Sequence, residues 1–406
     1  MSLPTDLIDD VLREQLVADY RHLHAHPELS MQEHRTAAYV EERLEAMGIE
    51  HFRCGGTGVV GVLRNGEGPT IAYRADTDGL PIEEDTGLAW SSQERGRLGD
   101  GTEVPVMHGC GHDMHVTVAL ALAAALARRT EAWSGTLVLV LQPGEETAAG
   151  ARAMVDDGLW ERAPRPEAVY GQHVMPTLAG TVSVAVGTAM AMADSWRVTL
   201  RGRQAHGSQP HHSVDPVVLG SHVVTRLQSV VSRSVDPRDM AVITVGTFHA
   251  GTKENIIPAA AELTLNVRTF TDPVRDTVLS GIRRTVEGEV FASGAPDAEI
   301  TELYRFPACV NDPEETERVL RVLREELGER NVSVIPPVSG SEDVGTLATA
   351  IGVPLVYWFT GGYPQAVLDQ DEVPGNHTPA FAPVADPTLE TGLRAALAVA
   401  LARLGT

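Results

Sequence analysis

The segment His108–Asp113 carries the strongest candidate for metal binding, since it reads His-Gly-Cys-Gly-His-Asp. Cysteine and histidine are the commonest soft or borderline metal ligands in proteins. Cys110 and His112 stand two positions apart between glycines, which let the backbone approach an ion closely. A helix is predicted to begin just after them, and its amino terminus would help to keep Cys110 as a thiolate. The pattern predicts a metal site, and an incidental thiol in a loop is the alternative.

Two adjacent acids, Glu145 and Glu146, follow a predicted strand. Side chains at the carboxyl end of a strand in an open α/β sheet project into the crevice where such sheets keep their sites. One carboxylate can hold a metal, and the other can take a proton from a water molecule. An acidic pair in solvent is usually a charged turn, but its place after an apolar strand and beside a Cys/His loop favours function.

Two more histidines extend the set of possible ligands. His173 follows another predicted strand, and His377 lies in the loop Gly375–Pro379. Either one alone is as easily a packing or hydrogen-bonding residue. Together the candidates supply more N, O and S donors than one tetrahedral zinc takes, so they suit two metals that share a bridging ligand. The ligand candidates are Cys110, His112, Glu146, His173 and His377.

These motifs resemble those of the amidohydrolase branch of the dinuclear metallopeptidases of family 20, which includes hippurate hydrolases, N-acyl-amino-acid amidohydrolases and auxin–amino-acid conjugate hydrolases. The resemblance covers nearly the whole chain, and the combination of motifs is highly specific. It implies a metal-dependent amide hydrolase for N-acyl amino acids or similar conjugates, with two divalent ions (Zn, Mn, Co or Ni). The matching segments are His24–Ser30, Arg74–Pro81, His108–Asp113, Pro143–Glu146, Gly171–His173, Gly202–Pro216 and His377–Pro379.

The resemblance also implies roles for the matching residues in the metal site. Cys110 would bridge the two ions, in place of the aspartate of other branches. Glu145 would be the general base. Each ion would have two further ligands, which are Glu146 and His377 for one ion and His112 and His173 for the other.

Asp76 and Asp78 fall where related branches keep a His-x-Asp ligand motif. Because His112 takes over that ligand role here, the resemblance leaves both aspartates as supporting or structural residues.

Three residues further along the chain match family positions outside the metal site. His206 would stabilise the developing oxyanion, in its own site or in that of a partner subunit. Asn255 and Arg268 match positions linked to the substrate carboxylate, and a guanidinium can bind both of its oxygens. The alternatives are a surface histidine and a solvated arginine at a strand end. The resemblance also implies a homodimer formed through this part of the chain.

The predicted elements place these residues in two domains. Strands alternate with helices in 1–187 and 304–406, which predicts an α/β catalytic domain with a mixed, mostly parallel sheet flanked by helices. The strand and helix order in 188–303 is βαββαβ, typical of a ferredoxin-like α+β unit, and we interpret it as an inserted lid or dimerisation domain. Around the motifs, the apolar patterns predict a helix over 115–128 and strands over 70–73, 136–141 and 168–172.

Composition excludes several classes of function. The chain has 55 acidic and 32 basic residues, a net charge of −23 that would repel nucleic acid. It has no unbroken apolar run of about 18 residues, so no membrane helix is expected. The start lacks the basic-then-apolar pattern of a secretory signal, and three cysteines are an odd, sparse set. These features predict a cytoplasmic protein without a disulfide framework.

Other interpretations of the same residues lead to different chemistry. A cysteine hydrolase would use Cys110 as nucleophile with a histidine as its base, and chelation would leave it active. A non-catalytic relative would keep the fold and bind peptide-like ligands. A barrel-type amidohydrolase that uses His22 and His24 is disfavoured, because that pair lies in a helical pattern rather than after an apolar strand. His22, His24 and His26 are instead predicted to be structural.

Overall fold

The computed structural model describes residues 7–405. The start of the chain, which lacks the pattern of a secretory signal, therefore lies partly outside the described residues. The chain forms two compact units. The first runs to Ala189 and also contains Val310–Pro336 and the chain from Asp343 onwards. The second comprises Met190–Cys309 and Pro337–Glu342, so it includes a short segment that the predicted boundaries assign to the catalytic domain. No helix within 7–405 is long and apolar enough to cross a membrane.

The α-helices and β-strands of residues 7–405 are numbered in chain order. The helices are α1 Asp10–Ala25, α2 His34–Ala46, α3 His112–Arg128, α4 Gly150–Asp156, α5 Leu159–Arg162, α6 Pro216–Ser234, α7 Asp272–Ser293, α8 Pro313–Leu327, α9 Gly345–Thr349, α10 Gln365–Leu368 and α11 Ala385–Leu404. The strands are β1 Glu50–Cys54, β2 Gly58–Asn65, β3 Thr70–Asp76, β4 Arg95–Arg97, β5 Glu103–Pro105, β6 Gly135–Gln142, β7 Ala168–Leu178, β8 Val182–Val184, β9 Gly187–Met190, β10 Met192–Arg201, β11 Ala205–His206, β12 Ala241–Ala250, β13 Ile256–Ile257, β14 Ala260–Thr269, β15 Glu299–Phe306, β16 Cys309–Asn311, β17 Val332–Val334 and β18 Leu355–Tyr363.

The first unit is built on an eight-stranded sheet in the order β1-β2-β6-β3-β7-β18-β8-β17. Strands β6, β3, β7 and β18 run parallel to one another at its centre, and β1 and β2 are antiparallel. The predicted mixed, mostly parallel sheet is therefore confirmed. The central strands are apolar on both faces, which is typical of a parallel sheet covered by helices. Leu137 through Leu141 in β6 are at most 1% exposed.

Helix α3 lies at the centre of the core of the first unit. Its sequence from Val116 to Leu126 is almost entirely Ala, Leu and Val, and every one of these residues is buried. A helix that is apolar on all sides must be covered on all sides. Contacts with β3, α1 and α11 provide that cover.

The second unit has a four-stranded antiparallel sheet in the order β12-β14-β10-β15. Two long helices, α6 and α7, pack against it. Helix α6 begins at its cap Asp215 and buries Leu219, Val223, Leu227 and Val230, which recur at helical spacing along one face. The predicted βαββαβ order is present.

Several element boundaries differ from the predicted ones near the motifs. Strand β3 continues from the predicted end at residue 73 to Asp76, and α3 begins at His112 rather than at residue 115. Strand β7 continues to Leu178, so His173 lies within a strand rather than after one. The extension follows from pairing, because β18 runs alongside β7 over this length.

Candidate metal centre

Parallel strands bring the first group of site residues to one edge of the sheet. Strand β3 ends at Asp76, and its neighbour β6 ends at Gln142, just before Pro143 and the two glutamates. Strand β7, on the other side of β3, carries His173. Carboxyl ends of parallel strands meet at the same edge, where open α/β sheets place their ligands.

Gly111 allows the Cys110 turn to reach this edge. It caps α3 with φ 82°, a left-handed conformation that favours glycine. A Cβ atom at this position would lie 2.2 Å from Val174 Cγ1. The turn therefore passes directly against β7 and brings the thiol of Cys110 next to the imidazole of His173.

The thiol of Cys110 lies at the centre of the predicted ligand set. Its Sγ is 3.3 Å from His173 Nε2 and 3.2 Å from His377 Nε2. His377 Nε2 is in turn 3.2 Å from Glu146 Oε1, and His112 Nε2 is 3.9 Å from the same oxygen. The structure thus brings all five predicted ligands together.

Two of the imidazoles are oriented by backbone carbonyl groups. His112 Nδ1 lies 2.9 Å from Asp78 O, and His173 Nδ1 lies 2.7 Å from Val174 O. A carbonyl only accepts hydrogen bonds, so Nδ1 of each ring carries the proton. In the neutral form of each ring, the one that can bind a metal, the lone pair is then on Nε2, which lies 3.3 Å from Cys110 Sγ in His173 and 3.9 Å from Glu146 Oε1 in His112. This is the orientation that a metal-ligating histidine usually has.

His377 is held by its main chain. It has φ 65°, which is uncommon for a residue with a side chain, and its amide donates to Gly109 O at 2.7 Å. That bond ties the loop to the Cys110 turn. Conformations of this kind are kept where the surroundings impose them, often at functional sites.

Two buried polar atoms at this site, His112 Nε2 and Glu146 Oε1, make no hydrogen bond of good geometry among residues 7–405, although His377 Nε2 lies 3.2 Å from the second. A buried polar atom without a partner is costly. The ligand candidates also form two groups, and within each group the donor atoms lie within 4.8 Å of one another. One group is Cys110, His112 and His173, and the other is Cys110, Glu146 and His377. The residues therefore fit two metal ions with the thiol common to both.

The charges at the site also favour cations. Burial lowers the pKa of His112, but the carboxylates of Asp76 and Asp78 outweigh burial and raise it to about 10. Burial raises the pKa of the Cys110 thiol well above its usual value, and the charges of Glu146 and Glu145 raise it further. A divalent cation would relieve this excess of negative charge and deprotonate the thiol.

Cys110 directly precedes Gly111, the cap of α3, so it lies at the amino terminus of a helix, as predicted. Burial and the charges of Glu146 and Glu145 nevertheless raise the pKa of its thiol. A cysteine nucleophile needs a lowered thiol pKa. The cysteine-hydrolase interpretation therefore loses support, whereas a thiolate held by metal does not.

Asp78 organises the two glutamates. Its carboxylate accepts hydrogen bonds from the amides of Glu145 and Glu146, at 3.1 Å and 3.0 Å, and from Ser30 Oγ at 2.6 Å. Its backbone carbonyl also orients His112. The side chain of Glu145 is buried, at 5% exposure, beside His112 and Glu146.

Asp76 supports the site through His115, a residue that sequence analysis did not single out. His115 Nδ1 lies 2.5 Å from Asp76 Oδ1, and its Nε2 accepts the amide of Val174 at 2.8 Å. Both ring nitrogens are thus engaged. The signal in the sequence is its spacing, since His115 is one helical turn after His112 on the same face of α3.

Buried acids elsewhere in the first unit have partners that the sequence did not reveal. The buried carboxylate of Asp343 accepts from Arg74, Gln142 and the amide of Ala151. His24 is buried between Asp113, at 2.7 Å, and Glu84, at 3.1 Å.

The other predicted residues lie in the second unit. His206 is exposed in β11, where Nδ1 is 2.8 Å from Ser208 Oγ. Asn255 is an exposed turn residue whose carbonyl accepts from the amide of Gly207, so it neighbours His206. Arg268 lies in β14, partly buried, and donates to Asn266 Oδ1 at 2.8 Å and to Ser341 Oγ.

Comparison with known proteins agrees with this fold. Residues 72–401 match the model of peptidase family M20/M25/M40. The hippurate hydrolase of Campylobacter jejuni is 35% identical over 349 residues, which are 85% of this chain and 87% of that protein. The N-acetyl-L-cysteine deacetylase of Bacillus subtilis is 35% identical over 329 residues, 80% of this chain and 75% of that protein.

Among solved structures, the YXEP protein of Bacillus subtilis, a dinuclear metal binding peptidase, superposes with a TM-score of 0.74 at 29% identity. The match covers 97% of this chain and 99% of that one. The chain belongs to peptidase family M20/M25/M40. The predicted resemblance and the predicted class, a metal-dependent amide hydrolase, are confirmed.

Proposed function

We propose that this protein hydrolyses the amide bond of N-acyl amino acids or similar conjugates, with Glu145 as the general base. The observation that carries this proposal is the convergence of Cys110, His112, Glu146, His173 and His377 beside the buried Glu145. Names of relatives that act on acyl-amino acids, hippurate hydrolase and N-acetyl-L-cysteine deacetylase, support this substrate class.

The ligand set would hold two divalent cations. Cys110 would be common to both, His112 and His173 would complete one site, and Glu146 and His377 the other. A thiolate with three imidazoles suits zinc, and the carboxylate also admits manganese, cobalt or nickel. When bound, the two ions would acidify a water molecule and polarise the carbonyl group of the substrate.

Residues of the chain would carry out the proton transfers. Glu145 takes a proton from the attacking water and later gives it to the leaving nitrogen, so the carboxylate is regenerated. Asp78 holds the amide of Glu145 and so fixes the base relative to the ligands. His206 would stabilise the developing oxyanion, from its own or a partner subunit, and Asn255 and Arg268 would bind the substrate carboxylate.

Metal analysis of the purified protein, coupled to a panel of benzoyl-, acetyl- and indoleacetyl-amino acids, tests this function. We expect about two metal equivalents per chain, as a bridged site holds, and turnover of at least one acyl class. EDTA should abolish turnover, and added Zn, Mn, Co or Ni should restore it. Unchanged turnover by metal-free protein would favour the cysteine-nucleophile alternative.

A second result would identify a non-catalytic protein. Tight binding of acyl-amino acids without turnover, at full metal content, would contradict the hydrolase proposal. Sedimentation or light scattering of the same sample would test the proposed homodimer. We also propose a cytoplasmic location, because three cysteines are an odd set for a disulfide framework.

A further inference from the structure

Two glutamates of one short segment serve different parts of the chain. Glu28 Oε2 accepts the amides of Arg35 and Thr36, both at 2.8 Å, so it satisfies the amino terminus of the adjacent helix α2. Glu33 directly precedes α2 but makes no side-chain cap. Its carboxylate instead accepts the amide of Gly144 at 2.8 Å, 111 positions away in the chain.

The carboxylate of Glu33 is completely buried and has a defined set of donors. Oε1 accepts the amides of Gly144 and Met31, each at 2.8 Å. Oε2 accepts the hydroxyl of Thr57 at 2.5 Å. The side chain is 0% exposed. Burying a carboxylate is costly unless hydrogen bonds compensate, and here three donors fix both oxygens in place.

Glu33 completes the anchoring of the turn that carries the proposed base. Gly144 has φ 57°, and a Cβ atom there would lie 2.4 Å from Met31 Sδ, so the turn passes closely over this segment. The next two amides, of Glu145 and Glu146, donate to Asp78. Three successive amides of the turn are therefore bound by two buried carboxylates.

We propose that Glu33 is a positioning residue for the reaction, because it holds Gly144 and thereby sets the placement of the Glu145 carboxylate. This inference rests on the proposed role of Glu145. Among residues 7–405, the Glu33 carboxylate forms hydrogen bonds with Met31, Thr57 and Gly144 and with none of the ligand candidates, so it would act through the turn.

The arrangement has a cost that supports a positioning role. Burial and then the nearby charge of Asp78 raise the pKa of Glu33 to about 7. Two neighbouring buried carboxylates oppose each other, so an apolar side chain at position 33 would relieve this repulsion. Only an acceptor, however, can bind the amide of Gly144.

Steady-state kinetics of three variants test the inference. Glu33→Leu removes both acceptors and should lower kcat by about 10- to 100-fold, the effect of a misplaced catalytic group, with KM and metal content unchanged. Glu33→Gln keeps an acceptor for both amides and can donate to Thr57, so it should restore most of kcat. Glu28→Leu is the matched control, which should lower Tm and leave kcat unchanged.

Hydrogen exchange of metal-free protein gives a readout that needs neither metal nor substrate. Peptides that cover residues 142–148 should exchange faster in Glu33→Leu than in wild type, and at the wild-type rate in Glu28→Leu. Wild-type kcat and exchange in folded Glu33→Leu would overturn the inference. A loss of kcat in Glu33→Gln as large as in Glu33→Leu would also overturn it.

Two further results, a variant that does not fold and a wild type without activity, would still allow the inference to be tested. If Glu33→Leu does not fold, Glu33→Asp takes its place, because the shorter side chain withdraws the carboxylate from the amide of Gly144, and wild-type kcat and exchange in that variant would overturn the inference. If wild type hydrolyses no acyl-amino acid, the proposed function fails, while the exchange comparison still tests the contact between Glu33 and the turn.

Discussion

Three ligand candidates of the first unit and two candidate residues of the second unit differ in how strongly their surroundings hold them. In the first unit, Cys110, His112 and His173 are at most 7% exposed. Each imidazole of this group is oriented by a carbonyl before any ligand arrives. In the second unit, His206 is exposed on the two-residue strand β11, and Asn255 is exposed in a turn.

This difference shows which side chains are already in position before a metal or a substrate binds. Buried side chains with fixed partners pay their ordering cost on folding, so they can present ligand atoms to a metal or a base to a water without reorganisation. Exposed groups lose side-chain entropy only when they bind. We therefore expect substitutions of buried residues in the first unit to lower kcat or the stability of the fold. Substitutions of the candidate residues in the second unit should change kcat or KM without lowering stability.

The largest expected effect is that of Glu145→Ala. A positioned general base contributes about 10²- to 10⁴-fold, and kcat should fall by the upper part of this range. Metal content, measured by elemental analysis, should equal that of wild type, because Glu145 is outside the proposed ligand set. Near-normal kcat at full metal content would contradict the role of Glu145 as the general base.

His24→Ala should lower the free energy of unfolding by about 3–5 kcal/mol, because it leaves Asp113 and Glu84 buried without their partner. Burial lowers the pKa of His24, but hydrogen bonds to Asp113 and Glu84 outweigh burial and raise it to about 10, from 6.5 when unfolded. The contribution is therefore complete below pH 6.5 and is lost as pH rises through about 10.

Urea unfolding of wild type and His24→Ala at pH 6, 8 and 10 measures this effect. The gap between the two proteins should narrow at each step. The exposed His22, on the same helix, provides the control, since His22→Ala should change stability by only about 0.5 kcal/mol. A gap independent of pH would mean that packing rather than charge holds His24.

His206→Ala should lower kcat by about 100-fold, the usual effect of removing one oxyanion donor. Its Tm should equal that of wild type because the side chain is exposed. His211→Ala, an exposed histidine in the same region, is the control and should change neither quantity. If His206→Ala keeps wild-type kcat, His206 has no part in the chemical step.

Arg268→Ala should have the smallest effect, a rise in KM of about tenfold with kcat maintained, because one charged hydrogen-bonding partner of the substrate is lost. Initial rates with N-acyl amino acids measure it. Arg197→Ala removes an exposed ion pair with Glu262 on the same sheet and should leave KM unchanged. Wild type and Arg268→Ala should have the same KM for an amide substrate that lacks a carboxylate, if Arg268 binds that group.

Much of the fold could be predicted because it depends on local patterns. Apolar runs predicted the central strands, and the βαββαβ order predicted the two helices of the second unit, α6 and α7. Strand lengths were underestimated where pairing extends them, as in β7 beside β18. Helix α3 begins earlier than predicted because Gly111 ends the turn in a left-handed conformation, which the sequence shows only as a glycine.

The candidate ligands could be predicted because their residue types and motifs are distinctive. The supporting residues could not, since their partners are distant in sequence. His115 binds Asp76 across 39 positions, and Glu33 binds Gly144 across 111. The helix end beside Cys110 is visible in the sequence, whereas the burial and the facing glutamates that raise the pKa of its thiol are not.

The sequence by itself determined the family, the parallel sheet and the chemical types that meet at its edge, because these follow from short-range patterns and motif spacing. The tertiary structure decided which nitrogen of His112 and His173 faces inward and which carboxylates bind the Gly144–Glu146 turn. Those choices depend on hydrogen bonds between segments that only the folded chain brings together. The strength of these hydrogen bonds also depends on burial, which is a property of the packed molecule and not of any local stretch of the chain.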